Sequence, residues 1–116
     1  MATLRKPETD QRYRKALALM SSKSDCALCA KKALRAFTHW KIVENSFPYD
    51  RIASLHHMIL PLRHVQEPDL TSEENAELKK VKNEYINIHY EYILESVPRQ
   101  QTVPGHFHLH LIDVKD

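Results

Sequence analysis

Three histidines alternate with apolar residues near the end of the sequence, in the run HFHLHLI at residues 106–112. A period of two is typical of a half-buried strand, so the pattern predicts that His106, His108 and His110 share one face while the intervening Phe and Leu side chains enter the core. Same-face residues of a strand stand about 6.6–6.8 Å apart, so three rings can line one pocket. Near neutral pH an imidazole can act as a nucleophile, a proton donor or a metal ligand. The run is therefore the first candidate for a functional site.

Two other interpretations of this run stay open at this point. Neutral imidazoles on one strand are common zinc ligands, so the three histidines are also compatible with a three-histidine zinc site. Any one of them, taken alone, is more often a buried polar side chain whose hydrogen bonds are satisfied. An affinity tag is discounted because tag histidines are uninterrupted.

The only two cysteines, Cys26 and Cys29, form a Cys-x-x-Cys pair. Two thiolates supply half of a tetrahedral zinc site, so such a site needs two further ligands from elsewhere in the chain. In a reducing compartment the pair is interpreted as a metal site, a redox pair or an unliganded buried pair sooner than as a structural disulfide. A redox motif is expected beside a βαβ pattern, which the sequence does not show.

Composition excludes several classes of protein. The 116 residues are 42% hydrophobic, which predicts one domain with one core. A net charge of +2, with both signs interspersed, argues against binding to a nucleic acid polymer. No apolar stretch approaches the ~20 residues that span a bilayer, and residues 1–7 lack a hydrophobic signal region. We therefore expect no membrane association and a cytoplasmic location. Gly105 is the only glycine, which excludes a glycine-rich phosphate loop.

The elements that must position these residues follow from periodicity and from turn and capping signals. Residues 71–74 (TSEE) have the form of a capping box that begins a long amphipathic helix, and Pro98 limits that helix to about Ser96. Its stripe of Tyr85, Ile88 and Tyr92 is expected to pack on a sheet. The sequence predicts helices over residues 8–22, 30–37 and 71–96 and strands over residues 40–45, 55–60 and 106–112.

Short turns between these strands indicate antiparallel pairing, because parallel neighbours need long crossovers. The predicted fold class is therefore α+β, an antiparallel sheet with one long helix packed on it and an additional N-terminal helix. Within the strand at residues 55–60, His56 and His57 must point to opposite faces.

The run at residues 106–112 resembles the His-x-His-x-His-x-x signature of the histidine triad (HIT) superfamily of nucleotide hydrolases and transferases. Residues 45–50 (NSFPYD) and 56–64 (HHMILPLRH) resemble that superfamily's strand pair, in which a histidine, three apolar residues, a proline and a basic residue before a histidine recur. The resemblance covers about residues 25–116. It implies a HIT-like domain over 25–116, preceded by an N-terminal helical extension at residues 1–24.

The resemblance also implies a chemistry and an assembly. His108 is then the nucleophile that attacks the α-phosphorus of a nucleotide and forms a covalent nucleotidyl intermediate. His110 and His56 lie near the phosphate oxygens and stabilise developing charge, while His106 orients the nucleophile. The implied substrate is a nucleoside phosphoramidate, a dinucleoside polyphosphate or a similar nucleoside 5′-phosphoryl compound. The implied assembly is a homodimer.

A structural zinc ion is implied in the same way. Members of the superfamily and the related galactose-1-phosphate uridylyltransferases hold zinc with an N-terminal Cys-x-x-Cys, a mid-chain histidine and the first triad histidine. Carried over, the ligands are Cys26, Cys29, His64 and His106, and His57 remains an alternative to His64. Two thiolates and two imidazoles without water form a closed site that supports the fold and performs no chemistry.

The expected nucleoside cleft lies beside the strand at residues 40–45, with Asn45 as a substrate-binding residue and Ile42 or Phe47 as contacts. Hydrolases of the family usually carry Gly-Gln-Ser or Gly-Gln-Thr before the triad, whereas residues 99–105 here are RQQTVPG. Gln101 and Thr102 fill those substrate-binding places only if one residue is inserted. This departure keeps open the alternative of a nucleotide-binding module of the same fold with little turnover. A second alternative, of a different class, is a small zinc-stabilised interaction protein in which all the histidines are metal-related.

Overall fold

The computed structural model describes residues 3–19, 26–100 and 105–116. In chain order its regular elements are α1 (Pro7–Ala18), β1 (Arg35–Ala36), β2 (Trp40–Glu44), β3 (Ala53–Pro61), a 3-10 turn (Glu67–Asp69), α2 (Ser72–Val81), a π-helical turn (Lys82–Ile86), α3 (Asn87–His89), β4 (Tyr92–Leu94), a 3-10 turn (Pro98–Gln100) and β5 (Leu109–Val114). Across these ranges, no helix has both the length and the apolar character needed to cross a bilayer.

The strands form one five-stranded antiparallel sheet in the order β1-β2-β3-β5-β4. In this order β5, which carries the end of the histidine run, lies between β3 and β4. Its register pairs His110 with Met58 and Leu109 with Ile59. The predicted α+β class with an antiparallel sheet is therefore confirmed.

The two faces of the sheet have different chemistry, as the period-two alternation predicts. The helix-covered face buries Phe107, Leu109 and Leu111 against Trp40 and other apolar side chains of β2, β3 and α2. The opposite face carries His108 and His110 beside a smaller apolar cluster. That second cluster consists of Leu28, Val43, Met58 and Leu60.

The helix that begins at residue 72 is capped as the sequence predicts. The Thr71 hydroxyl accepts from the Glu74 amide (3.1 Å), and a Glu74 carboxylate oxygen accepts from the Thr71 amide (2.8 Å). The buried Glu74 carboxylate also accepts from Arg63 at 2.8 Å, and this hydrogen bond lowers the pKa of Glu74 to about 2. Because Trp40 Nε1 donates to the Glu74 carbonyl, the helix is fixed against β2.

The prediction that this helix reaches Ser96 is wrong. The helical segment ends at His89, and Tyr90 is extended (φ −135°, ψ 158°). The Glu91 amide donates to the Ile112 carbonyl at 3.1 Å, and the residues that follow pair with β5 as strand β4. Pairing with the edge of the sheet gives hydrogen-bond partners to backbone N–H and C=O groups that a frayed helix end would leave unpaired. Consequently Ile88 and Tyr92 are 71% and 60% exposed, so they are not part of the expected core stripe.

The predicted short helix over residues 30–37 is also wrong. That segment is a turn followed by β1, and its amides bond to β2: Leu34 N–H to the Ile42 carbonyl and Phe37 N–H to the Trp40 carbonyl, both at 2.7 Å. Pairing with the existing sheet outweighs the weak local helix preference.

Helix α1 begins with Pro7 in its first turn and ends at Ala18, so it is shorter than the predicted 8–22; residues 20–25 lie outside the described ranges.

Asp50, in the loop between β2 and β3, binds the first turn of α1. One carboxylate oxygen accepts from the Lys6 amide at 2.6 Å, and the other accepts from the buried Thr9 hydroxyl. The Arg51 amide also donates to the Leu4 carbonyl (3.0 Å). The N-terminal segment is thereby docked on the loop that precedes β3.

Candidate active site and metal centre

His56 of β3 and His110 of β5 lie side by side, with His56 Nε2 2.8 Å from His110 Nδ1. The Tyr49 amide donates to His56 Nδ1 at 2.9 Å, so neutral His56 carries its proton on Nε2. His56 therefore donates to His110 Nδ1, which leaves the proton of His110 on Nε2. That atom lies 3.3 Å from the Tyr49 hydroxyl. The backbone of the β2–β3 loop thus sets the tautomer of both rings.

Burial is the main cause of the lowered pKa values of this pair. It acts together with the charges of Arg5 and neighbouring histidines, and it brings the pKa of His56 to about 4 and that of His110 to about 3. Both rings are therefore neutral near pH 7. They act as hydrogen-bond donors of fixed direction and not as cations.

His108 has the arrangement that a nucleophile requires. Its Nδ1 donates to the His106 carbonyl at 2.9 Å, so the lone pair of the neutral ring is on Nε2. Burial lowers the pKa of His108 as well, which favours the neutral, nucleophilic form. The rings of His108 and His110 are nearly perpendicular, with centroids 5.2 Å apart.

His108 and His110 line a cavity of about 160 Å³, which we call the catalytic cavity. Side chains from three further segments also line it: Leu28 of the cysteine loop, Asn45 and Phe47 after β2, and Met58 of β3. Ile42 belongs instead to the core on the helix-covered face, so the prediction that it contacts the nucleoside is wrong for Ile42 and remains open for Phe47.

Asn45 is held rigidly at this wall. Its Oδ1 accepts from the Phe47 amide at 2.8 Å, which directs Nδ2 toward His56 Nε2 (3.3 Å) and the Met58 sulfur (3.8 Å). The other two predicted substrate-binding residues, Gln101 and Thr102, lie outside the described residues.

The side chains of this cavity that sequence reasoning missed include Arg5, Lys31 and Tyr49. Tyr49 lies within the NSFPYD segment, and the sequence analysis assigns it no role, although an aromatic residue near a histidine strand is a usable signal. Arg5 and Lys31 reach the cavity through tertiary docking of segments far from the triad in sequence. No local pattern in the sequence indicates such contacts.

Four predicted metal ligands come together at the edge of the catalytic cavity. The donor atoms of Cys26, Cys29, His64 and His106 all lie within 4.8 Å of one another. Cys29 Sγ lies 3.2 Å from His64 Nδ1 and 3.3 Å from His106 Nδ1, and Cys26 Sγ lies 3.5 Å from His106 Nδ1. Tetrahedral zinc places sulfur and nitrogen ligands about 3.5 Å apart, so the arrangement fits zinc.

Neighbouring groups orient these ligands. His106 Nε2 donates to the Pro61 carbonyl at 2.9 Å, which leaves the Nδ1 lone pair for a metal. Leu28, between the two cysteines, is buried in the second apolar cluster and anchors their loop. A Cβ on Gly105 would lie 3.1 Å from His64 Nε2, so a larger residue there would displace that ring.

His57, the alternative to His64, lies on the opposite face of the sheet. Its Nδ1 is 2.7 Å from the Tyr90 hydroxyl. The structure therefore places His64, and not His57, beside the cysteines.

Comparison with solved structures agrees with the architecture. A HIT family hydrolase from Clostridium thermocellum superposes with a TM-score of 0.54 at 16% identity, covering 78% of this chain and 91% of that one. A HIT family hydrolase from Legionella pneumophila Philadelphia 1 superposes with a TM-score of 0.54 at 17% identity, and the match covers 79% of this chain and 95% of that one. No family model matches the sequence, and neither does any curated protein. At these identities the likeness concerns the fold alone, and this chain shares the fold of these two HIT family hydrolases.

Proposed function

We propose that this protein is a nucleotide hydrolase or nucleotidyltransferase that acts at the α-phosphate of a nucleoside phosphoramidate or a dinucleoside polyphosphate. The observation that carries the proposal is the state of His108. Its Nδ1 proton is held by the His106 carbonyl, which leaves the lone pair on Nε2 of a ring that lines the catalytic cavity.

In the first step the Nε2 lone pair of His108 attacks the α-phosphorus. A phosphorus–nitrogen bond forms, and the bond to the leaving oxygen or nitrogen breaks with its electron pair, so the leaving group departs and takes up a proton. In the second step water attacks the same phosphorus, the bond to His108 breaks, and nucleoside 5′-monophosphate is released. Another hydroxyl or phosphate in place of water gives transfer instead of hydrolysis.

His110 and His56 support this step as neutral donors. Because the Tyr49 amide fixes their tautomers, the Nε2 proton of His110 is available to Tyr49 or to a phosphate oxygen that approaches it. Donors fixed before the reaction stabilise charge as it develops, without reorganisation. We further propose Asn45, which lines the catalytic cavity, as a substrate-binding residue, together with Gln101 and with Thr102 as a donor to the leaving group.

Zinc bound by Cys26, Cys29, His64 and His106 would supply structural support and no reaction chemistry, because four protein ligands leave no open position. The role of these residues is to hold His106, whose carbonyl in turn orients His108. Thiolate ligands persist in a reducing compartment, which supports a cytoplasmic site of action.

We also propose a homodimer that forms through β4. This strand lies at an edge of the sheet and has one neighbour, β5, among the described strands. Its Tyr92 and Ile93 are 60% and 40% exposed, and an open apolar edge is a template for a further strand.

A substrate panel tests the function. Purified protein and the His108→Ala variant are incubated with adenosine 5′-phosphoramidate, an adenylated lysine and diadenosine polyphosphates, and release of AMP is measured. Turnover by the native protein and loss of at least ~1,000-fold in the variant support the proposal. Nucleotide binding without turnover would favour the alternative, a nucleotide-binding module. The altered run at residues 99–105 is the sequence feature that supports this alternative.

A further inference from the structure

A second cavity of about 340 Å³ adjoins the catalytic cavity. The two share a wall made by the N-terminal segment, the β2–β3 loop and the segment after β4. The shared side chains are Arg5, Tyr13, Leu17, Tyr49, Ser96 and Gln100. Because the proposed nucleotide site uses residues that line only the catalytic cavity, this second cavity has no role in the proposed function.

The lining residues indicate which cavity would hold the nucleoside and which the leaving group. Leu28, Asn45 and Met58 line only the catalytic cavity, whereas Tyr49 borders both and lies 3.3 Å from His110 Nε2. If the base of a bound nucleotide lies beside Leu28 and its α-phosphate lies at His108, its leaving group is therefore directed toward the second cavity.

Arg5 lies at the boundary and is held there on several sides. Its Nε donates to the Phe47 carbonyl at 2.7 Å. Its guanidinium carbon lies 3.9 Å from the centre of the Tyr13 ring and 4.8 Å from that of Tyr49. Because Nε is engaged and both rings contact the guanidinium group, the terminal nitrogens are the atoms left to bind a ligand.

One aromatic ring, that of Tyr49, separates the guanidinium group of Arg5 from His110. The Tyr49 ring that it contacts lies 4.9 Å from the His110 ring. Arg14, which also lines the second cavity, is paired with Asp10 at 2.8 Å. Guanidinium groups bind phosphate oxygens through charge-assisted hydrogen bonds, whereas an uncharged amine gives such a group nothing to bind.

We propose that Arg5 is a specificity-determining residue that binds phosphate oxygens beyond the scissile bond, and that the second cavity receives an anionic leaving group in preference to an uncharged amine. This inference rests on the proposed function for the position of the α-phosphate. It assigns a role in substrate selection to the N-terminal segment, which lies far in sequence from the histidine run at residues 106–112.

Binding measurements test the inference without requiring turnover. In the zinc-loaded His108→Ala protein, dissociation constants of AMP and ATP are measured by calorimetry without added Mg²⁺; the two probes share base, sugar and α-phosphate. Arg5→Gln should weaken ATP binding by about 10-fold or more and AMP binding by less than about 2-fold, as loss of one charged hydrogen bond implies. The dissociation constant of ATP for Arg5→Lys should lie between those of the parent protein and of Arg5→Gln. Arg12→Gln is the matched control, since Arg12 is an exposed cation of α1, the helix that follows Arg5, and lines neither cavity.

The outcomes separate the inference from the function on which it rests. Equal weakening of AMP and ATP, or no change in either, overturns the role of Arg5. The same holds if Arg12→Gln has the same effect as Arg5→Gln. Selective loss of ATP binding supports the role even if the native protein turns over no substrate, a result that would contradict the proposed function alone. Failure of both nucleotides to bind contradicts both.

Discussion

The carbonyl oxygen of His106 lies 2.9 Å from Nδ1 of His108 and accepts its proton. The same residue turns its Nδ1 toward the two cysteines and donates its Nε2 proton to the Pro61 carbonyl. One residue therefore belongs to the candidate metal centre by its ring and to the candidate active site by its backbone. A disturbance of the metal ligands is expected to reach the nucleophile through this residue.

The His64→Ala variant tests this connection. It removes one ligand of a closed four-ligand site, and structural zinc of this kind contributes several kcal/mol to folding, on the order of 10 kcal/mol in small zinc domains. We expect one zinc per chain in the native protein by elemental analysis, less in the variant, a lower melting temperature and reduced turnover.

His89→Ala is the matched control, since His89 is an exposed histidine on the other side of the sheet from the cysteines. It should retain zinc, stability and activity. A native protein that holds no zinc, or a His64→Ala variant as stable and active as the native protein, contradicts the assignment of the metal centre.

The buried His56–His110 pair predicts how stability depends on pH. The pKa values of about 4 and about 3 lie below the ~6.5 of an unfolded histidine, so below pH 6.5 the unfolded chain binds more protons than the folded one. The free energy of unfolding should therefore fall as the pH drops from 6.5 toward 4, by up to about 1.4 kcal/mol per pH unit for each ring.

Urea titrations from pH 7.5 to 4.5 measure this slope. The His110→Asn variant lacks one of the two titrating groups, so its slope should be shallower than that of the native protein, while contributions of the metal ligands remain common to both. Parallel slopes would show that His110 is not held neutral in the folded state.

Asp50 predicts how firmly the N-terminal segment is attached. Removing its carboxylate in Asp50→Ala deprives the Lys6 amide and the Thr9 hydroxyl of their acceptor and should lower the free energy of unfolding by about 1–2 kcal/mol. Because Arg5 and Tyr13 line the cavity from this segment, limited proteolysis near residue 6 should speed up and activity should fall.

Asp10→Ala is the control for Asp50→Ala. It removes an acidic residue from α1 whose side chain forms an i,i+4 pair with the exposed Arg14, and such pairs contribute about 0.5 kcal/mol or less. Equal effects of the two substitutions would contradict a specific anchoring role for Asp50.

The proposed dimer predicts an effect at β4. Ile93→Lys places a charge on an exposed edge position and should convert a dimer into a monomer in light scattering coupled to gel filtration. Val97→Lys, which introduces the same charge at an exposed site beyond β4, should leave the dimer intact. A native protein that is monomeric at high concentration contradicts the proposal directly.

The sequence predicted those parts of the fold that depend on local periodicity. The alternation at residues 106–112 correctly indicates which side chains are buried on the helix side, and Thr71 and Glu74 locate the start of the long helix. The end of that helix was misplaced because Tyr85, Ile88 and Tyr92 fit helical spacing, whereas pairing with β5 decides the structure of residues 92–94.

The candidate site was less accessible to sequence reasoning. Cys26 and His106 are 80 positions apart, so only resemblance to a family connected them. The hydrogen bond from the Tyr49 amide that fixes the tautomer of His56 comes from a loop conformation, and Arg5 reaches the cavity through docking of α1. Such contacts depend on tertiary structure and leave no periodic signal in the sequence.

Trapping the intermediate tests the central claim most directly. The protein is mixed with a radiolabelled or mass-labelled adenosine 5′-phosphoryl substrate, denatured within one turnover and digested, and the peptide containing residues 105–116 is sequenced by mass spectrometry. The account predicts one AMP group attached to His108, absent from His108→Ala and present in His89→Ala. Efficient release of AMP with no label on His108, or with the label on another residue, would contradict it.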